Sequence, residues 1–161
     1  MLFRSSSSSS DSFRPDIVFS VSQCKKILLG IAGTSEHLHA HRITHGDLYA
    51  HNILIGKLGC AFPRYFGAAT ICGTQLVKKQ AFEKTEVLAF NHLAEDLLSL
   101  VGKQVDDEGE FFEEKDILVI EELNLLHYKC SNPGVQERPV FVEFGRYWKD
   151  CDTGISSPED R

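Results

Sequence analysis

The sequence lacks the features of secreted, membrane-spanning and nucleic-acid-binding proteins. No apolar run approaches the roughly 20 residues that cross a bilayer, and residues 1–4 lead straight into serines without the apolar segment of a signal peptide. Acidic residues outnumber basic ones by 23 to 17, which gives a net charge of −6, whereas nucleic-acid binding calls for a basic surface. These absences predict a cytoplasmic protein that binds neither membranes nor nucleic acid.

Cysteine is also sparse. The chain has five cysteines, an odd number, and they are widely scattered without a C-x-x-C pair. A disulfide framework would show an even number at regular spacing, so we expect reduced thiols. The length of 161 residues suits one domain with a core of its own, and the 42% hydrophobic content is ordinary for a globular protein.

The pattern along the chain predicts one mainly helical α+β domain over residues 13–149. Residues 1–12, dominated by a run of serines, are expected to be a disordered leader, and residues 150–161 a polar tail. Apolar residues at three- and four-residue spacing predict a helix over residues 21–40. Similar arguments give further helices over 85–101 and 116–128, a β-hairpin from 52–55 and 60–62, and a solvated acidic loop at 106–114. A last helix is predicted within 135–148, starting around Arg138-Pro139 with proline at an N-terminal position.

The most informative segment reads H-G-D-L-Y-A-H-N, from His45 to Asn52, and is followed by an apolar Ile-Leu-Ile run. In phosphoryl transfer, a protein mostly positions groups and neutralises charge. One carboxylate must face the attacking hydroxyl, and a neutral oxygen ligand must hold magnesium nearby. Asp47 and Asn52, on a loop that leads into a strand, have the types and spacing for these two tasks.

This segment resembles the catalytic loop H-R-D-L-x-x-x-N of protein kinases, and three further markers follow it in the order of that family. Phe66-Gly67 resembles the end of the D-F-G motif, Glu86 stands at the acidic position that opens the family's buried central helix, and Arg138 lies in a late Arg-Pro segment. The chain therefore resembles the C-terminal lobe of a eukaryotic-type protein kinase, a mainly helical lobe with a small hairpin behind the catalytic loop.

The resemblance implies ATP and magnesium as cofactors, with Asp47 as the catalytic residue. It places Asn52 at the metal and nucleotide, although Asn52 can equally brace the loop around Asp47 by a hydrogen bond. Leu54 corresponds to the apolar residue beneath the adenine ring; without a second lobe, it is expected to be a core residue.

The remaining markers are structural in the family. The ring of His45 is expected to pack beside Phe66, with Gly67 completing that motif. Arg138 corresponds to an arginine that pairs with a glutamate, for which Glu83 is a candidate here.

Two departures from the family predict impaired activity. Position 65, where the family has the magnesium-binding aspartate, is Tyr65, and no Asp or Glu occurs between Leu48 and Phe82. A phenol is neutral at pH 7 and cannot supply the missing negative oxygen. In addition, the residues before the first predicted helix contain neither a glycine-rich phosphate loop nor a V-A-I-K lysine, so an N-terminal lobe is expected to be absent.

Three functions follow from these observations. The first is an inactive or impaired kinase-like protein that serves as a pseudokinase or binding module for a protein partner. The second is an active kinase completed by an N-terminal lobe from another chain. The third is a small-molecule phosphotransferase of the aminoglycoside or choline type, whose H-G-D-x-x-x-x-N loop has the glycine seen at Gly46. Self-association through the face left by the missing lobe is also expected.

Five histidines cluster around the loop, at positions 37, 39, 41, 45 and 51, which raises the alternative of a zinc site. Alternate histidines on a helix point to different sides of the cylinder, and no acid or cysteine pair nearby completes a tetrahedral set. The sequence therefore disfavours a metal site formed by these histidines.

Overall fold

Helix α1 spans Val21–Ala40 and confirms the first predicted helix. The computed structural model describes residues 17–56, 59–73, 76–106 and 109–144, so the predicted leader and tail lie outside the described residues. The helix begins with a capping box: the Ser20 hydroxyl accepts a hydrogen bond from the Gln23 N–H, and the Gln23 side chain accepts one from the Ser20 N–H. The helix ends where Arg42 adopts a left-handed conformation with φ 62°, the usual geometry just beyond a helix.

Four short strands follow: β1 (Ile43–Thr44), β2 (Ile53–Ile55), β3 (Ala61–Pro63) and β4 (Thr70–Ile71). β2 and β3 form an antiparallel hairpin, which confirms the predicted hairpin to within about one residue. β1 pairs with β4 outside it. This outer pair was not predicted, because two-residue strands are too short to show an alternating pattern. The nested arrangement brings residues 45–52 next to residues 64–69.

Helix α2 spans Leu76–Ser99 and contains most of the helix predicted over 85–101. The prediction placed its start too late. The first turns contain polar residues such as Lys78, Lys79 and Gln80, which form helices well but show no apolar periodicity. The buried stripe of α2 forms the centre of the fold and packs against both α1 and the helix that follows.

The prediction of a solvated loop at 106–114 was wrong. Strands β5 (Gln104–Asp106) and β6 (Gly109–Phe111) pair antiparallel there, and helix α3 begins at Glu114 and runs to Cys130. The acidic composition concealed the hairpin, because backbone pairing between strands does not depend on apolar side chains. The third predicted helix, residues 116–128, is confirmed within α3.

The last helix, predicted within residues 135–148 to start around Arg138-Pro139, begins slightly later, at Phe141. Val135–Glu137 is a single 3₁₀ turn, Arg138 is extended with φ −68° and ψ 142°, and the helix follows at residues 141–144. The extended Arg138 has a steric cause, since the ring of Pro139 excludes the residue before it from helical conformation. Residues 145–148 lie outside the described part of the chain.

The core unites the three long helices with the segment after Pro139. Phe90 of α2 meets Phe141 and Phe144 at ring-centroid distances of 5.4 and 5.3 Å, in edge-to-face and tilted geometry. The protein is thus α+β and mainly helical, as predicted. Within the described ranges, no helix combines the length and apolar character needed to cross a bilayer.

Two glycines of α1 allow a paired test of its packing. A β-carbon on Gly33 would meet no atom within 4 Å, whereas one on Gly30 would lie 3.1 Å from the carbonyl oxygen of Ala61 in β3. Gly33→Ala is expected to stabilise the protein by about 0.5–1 kcal/mol, the gain in helix propensity. Gly30→Ala should be at least about 1 kcal/mol less stable than Gly33→Ala, because the hairpin backbone must shift to admit the methyl group.

Urea unfolding of both variants and the unmodified protein measures the difference. Equal gains in the free energy of unfolding for the two variants would contradict the close contact between α1 and β3.

Candidate functional site

The His45–Asn52 loop is held against the 64–69 segment by the nested strands. The main-chain N–H of Arg64 donates to the Asn52 carbonyl at 2.8 Å, and His45 Nε2 donates to the Arg64 carbonyl at 3.0 Å. Residues that belong to two different motifs in the sequence therefore lie together in the fold.

Asp47 and Asn52, the two residues that the resemblance assigns to catalysis and metal binding, contact each other directly. Asn52 Nδ2 donates to the Asp47 main-chain oxygen at 2.9 Å and to its carboxylate Oδ2 at 2.6 Å. Asn52 is buried and Asp47 is partly buried. These contacts brace the loop through the amide nitrogen of Asn52, whereas a metal would bind its amide oxygen, so the two roles expected for Asn52 are compatible.

His45 has a structural environment. Its ring lies edge-on to Phe66 with centroids 4.7 Å apart, the contact expected from the sequence, and Gly67 follows in the same short 3₁₀ turn. Its Nδ1 accepts from the Asp47 N–H at 3.3 Å, and its Nε2 donates to the Arg64 carbonyl. Because both ring nitrogens are used inside the loop, His45 is not available as a general base.

Tyr65, at the position where the resemblance implies an acid, has a backbone conformation unusual for tyrosine. Its backbone is left-handed, with φ 62° and ψ 68°, and its side chain is 61% exposed. The Arg64 guanidinium lies 4.1 Å from the ring centroid in a cation–π contact. Across the described ranges, no group of three or more His, Cys, Asp or Glu side chains is arranged to hold a metal ion.

Glu86 is the anchor of the loop. It is 4% exposed, and its Oε1 accepts from the Gly46 N–H at 2.7 Å, while its Oε2 accepts from His39 Nε2 at 2.5 Å. This carboxylate therefore joins α2, α1 and the H-G-D loop. The sequence singled out Glu86 but missed His39. The position of His39 could have indicated its burial, since His39 lies four residues after the buried Ser35 and so continues the buried side of α1.

Leu54 does not belong to the core, contrary to the prediction for a chain without a second lobe. It is 44% exposed and lies opposite Phe62, itself 54% exposed, in the β2–β3 hairpin. Side chains alternate between the two faces of a strand, and Leu54 points away from the helices because its neighbour Ile53 is buried. The two residues form an exposed apolar pair on the hairpin, hereafter the hairpin face.

Arg138 is buried and binds main-chain oxygens, not Glu83. Its Nε donates to the Asn132 carbonyl at 2.8 Å and its guanidinium to the Lys84 carbonyl at 3.3 Å. Glu83 instead pairs with Lys79 at 3.2 Å. Arg138 thus connects the segment after α3 to α2. A polar cleft of about 610 Å³ adjoins it, but none of its lining residues comes from the H-G-D loop.

The histidines near the loop separate into two groups. His39 and His45 are buried in the contacts given above. His37 and His41 are exposed, and their ring centroids lie 4.5 Å apart. The expectation that these histidines diverge is therefore wrong for this pair, because residues four apart share one side of a helix.

Two buried cysteines, Cys24 and Cys130, are unsuited to nucleophilic catalysis. Burial raises the pKa of Cys24 to about 12 and that of Cys130 to about 12. A thiol must lose its proton to act as a nucleophile, so both remain protonated at neutral pH.

Comparison with known proteins adds no relative from which a function can be transferred. A scan against models of protein families gives no match to this chain, and a search of curated proteins gives none either. The kinase-like interpretation consequently depends on the residues and contacts described above.

Proposed function

We propose that this chain is a protein-kinase-like C-terminal lobe that does not transfer phosphate and that functions as a binding module. The observation that carries the proposal is Tyr65, an exposed residue with an uncharged phenol at the position where the family has its magnesium-binding acid. In the family, oxygen atoms of the side chains at positions 52 and 65 would hold magnesium. The contacts of Asn52 to Asp47 use its amide nitrogen and not its oxygen, so the missing charge at Tyr65 is the feature that separates this chain from an active kinase.

The energetic consequence is large. A bound metal contributes several kcal/mol of charge stabilisation in the transition state of such reactions, and each 1.4 kcal/mol corresponds to a tenfold change in rate. Loss of the acidic ligand therefore lowers phosphoryl transfer by orders of magnitude even where Asp47 is well placed.

Thermal unfolding with and without ATP and magnesium chloride tests this proposal. A ligand that binds only the folded state raises the melting temperature. We expect no change beyond measurement error for the unmodified chain. A rise of several degrees, or transfer of labelled phosphate to a generic protein substrate, would contradict the proposal and favour an active kinase.

Replacing Tyr65 with aspartate, the residue that the family has at this position, gives a sharper test. Tyr65→Asp should fold normally. The substitution removes the cation–π contact with Arg64, worth about 0.5–1 kcal/mol. This loss is offset because aspartate tolerates a positive φ better than tyrosine does. The added carboxylate, on the segment that contacts the His45–Asn52 loop through Arg64 and Phe66, should produce a melting temperature that rises with magnesium concentration.

Tyr65→Asn is the matched control, since asparagine tolerates the same backbone conformation but carries no charge. It should show the stability of Tyr65→Asp without the magnesium response. If both variants respond to magnesium equally, the ion binds elsewhere and position 65 is not a vacant ligand position.

One observation favours the small-molecule phosphotransferase as a second candidate. Gly46 has φ 76° and its α-carbon lies so close to the Ala68 carbonyl that a β-carbon would overlap it. The loop of the aminoglycoside and choline type of phosphotransferase has a glycine at the same place. Here the backbone conformation and the close Ala68 carbonyl require glycine at position 46. Incubation with labelled ATP and choline or an aminoglycoside, beside a generic protein substrate, separates this candidate from a protein kinase.

The hairpin face is where we expect a partner, including a second copy of the chain, to bind. Replacing both Leu54 and Phe62 with alanine should reduce self-association, measured by sedimentation velocity over a range of protein concentrations. Substitutions of exposed residues usually change the free energy of unfolding by no more than about 0.5 kcal/mol, so the variant should remain folded. Tyr128→Ala, on the exposed side of α3, serves as the control, and an equal effect of this control would argue against the hairpin face.

A further inference from the structure

The C-terminal turn of α1 carries an exposed pair of imidazoles. His37 lies in the last turn and His41 is the residue that caps it, so the two are four positions apart and on the same side of the helix. Their ring centroids are 4.5 Å apart and their planes are inclined by 44°. Both side chains are accessible to solvent, unlike the buried His39 between them.

A backbone hydrogen bond fixes the proton on His41. Its Nδ1 lies 2.8 Å from the main-chain oxygen of His37, and because a carbonyl only accepts, Nδ1 is the donor. Neutral His41 then carries its lone pair on Nε2. A histidine that ligates a metal generally donates its other ring nitrogen to a carbonyl or carboxylate, which sets its orientation. His41 already has this arrangement.

The separation of the rings fits a shared ion. Metal–nitrogen bonds are about 2.0 Å long, and each ring nitrogen lies roughly 1.1 Å from its ring centre. Two imidazoles bound at a right angle to one ion then have centres about 4.5 Å apart, whereas a tetrahedral angle requires about 5 Å. The observed distance matches the right-angled geometry that Cu²⁺ and Ni²⁺ prefer.

The electrostatic setting also favours a cation. The last carbonyls of a helix carry a partial negative charge, which attracts positive ions at the C-terminal turn. We propose that His37 and His41 form a two-imidazole site for a divalent transition-metal ion of the Cu²⁺ or Ni²⁺ type, with water completing the coordination. A bound ion connects the last turn of α1 to its cap, and so strengthens the helix end that leads into β1 and the H-G-D loop.

Nickel chloride tests the site. Its binding to the full chain without an affinity tag is measured by calorimetry, and its effect on stability is measured by thermal unfolding. Nickel is preferred to copper because it does not oxidise the exposed thiol of Cys60. One ion should bind per chain and raise the melting temperature. Loss of an outer partner of a metal ligand alone weakens affinity by about 10–100-fold, so His37→Gln and His41→Gln should each lose at least about tenfold.

His37→Gln keeps the main-chain oxygen that orients His41, so the C-terminal end of α1 stays intact in this variant. His37→Gln therefore remains a valid test even if His41→Gln perturbs the end of the helix. His51→Gln, which removes another exposed histidine close in sequence, should bind nickel as the unmodified chain does. The proposal is overturned if His37→Gln retains full affinity, or if His51→Gln loses as much affinity as His41→Gln.

Discussion

Glu86→Ala is expected to lower the free energy of unfolding by about 3–6 kcal/mol, because two hydrogen bonds to its carboxylate are lost and each is worth about 1.5–3 kcal/mol. The substitution leaves the Gly46 N–H and His39 Nε2 without their acceptors inside the protein. Since domains are stable by only about 5–15 kcal/mol, this is a large fraction of the total. Urea unfolding gives the global loss.

The loss should also be visible at the loop itself. Hydrogen exchange of the Gly46 amide should accelerate in Glu86→Ala, because its acceptor is gone and the loop is released from α2. This local readout distinguishes release of the loop from a general loss of packing.

Glu86→Gln is the matched control. Its amide oxygen can still accept from Gly46, and its amide nitrogen can donate to His39 after a change of tautomer, so the loss should be about 1–2 kcal/mol. If Glu86→Ala costs no more than Glu86→Gln, the carboxylate does not anchor the loop in the way its two contacts indicate.

Gly46→Ala is the second substitution with a large expected effect, about 2–5 kcal/mol. A β-carbon in the left-handed conformation costs about 1–2 kcal/mol. Its overlap with the Ala68 carbonyl requires a backbone shift that costs about 1–3 kcal/mol more. The shift moves the 64–69 segment away from the loop, and the His45–Phe66 ring contact should loosen with it.

Gly67→Ala provides the comparison in the same neighbourhood. A β-carbon on Gly67 would meet no atom within 4 Å, so its effect should stay within about 0.5 kcal/mol. Melting temperatures and urea unfolding of both variants measure the contrast. Similar losses at the two positions would show that Gly46 is not sterically required, and would remove the structural reason for a glycine in the H-G-D loop.

The paths of α1, α3 and the β2–β3 hairpin could be read from the sequence because each has a local signal. α1 combines a capping box at Ser20 with a regular apolar stripe, and its predicted bounds agree with the structure. The β5–β6 hairpin carries no such signal, since its strands pair through their backbones in a segment of acidic composition. Pro139 likewise signals the start of the last helix, which lies within about two residues of its predicted position.

The candidate site was only partly predictable, because sequence spacing groups residues but does not give their contacts. The spacing of Asp47, Asn52, Phe66 and Glu86 brought these residues into one hypothesis, and the fold places them around one loop. The contacts between them depend on distances that no linear pattern contains. The Asn52 bond to the Asp47 carboxylate, the burial of His39 against Glu86 and the exposure of Leu54 each required the packed structure.

By itself, the sequence determined the long helices, the β2–β3 hairpin, the loop with its Asp47–Asn52 spacing and the absence of an acid at position 65, because these are properties of residue identity and local periodicity. Only the tertiary structure decided which partner each polar group takes. Glu86 joins three elements, Arg138 binds backbone carbonyls and His37 meets His41, because a buried or clustered polar group takes the partner that folding brings within hydrogen-bonding or contact distance.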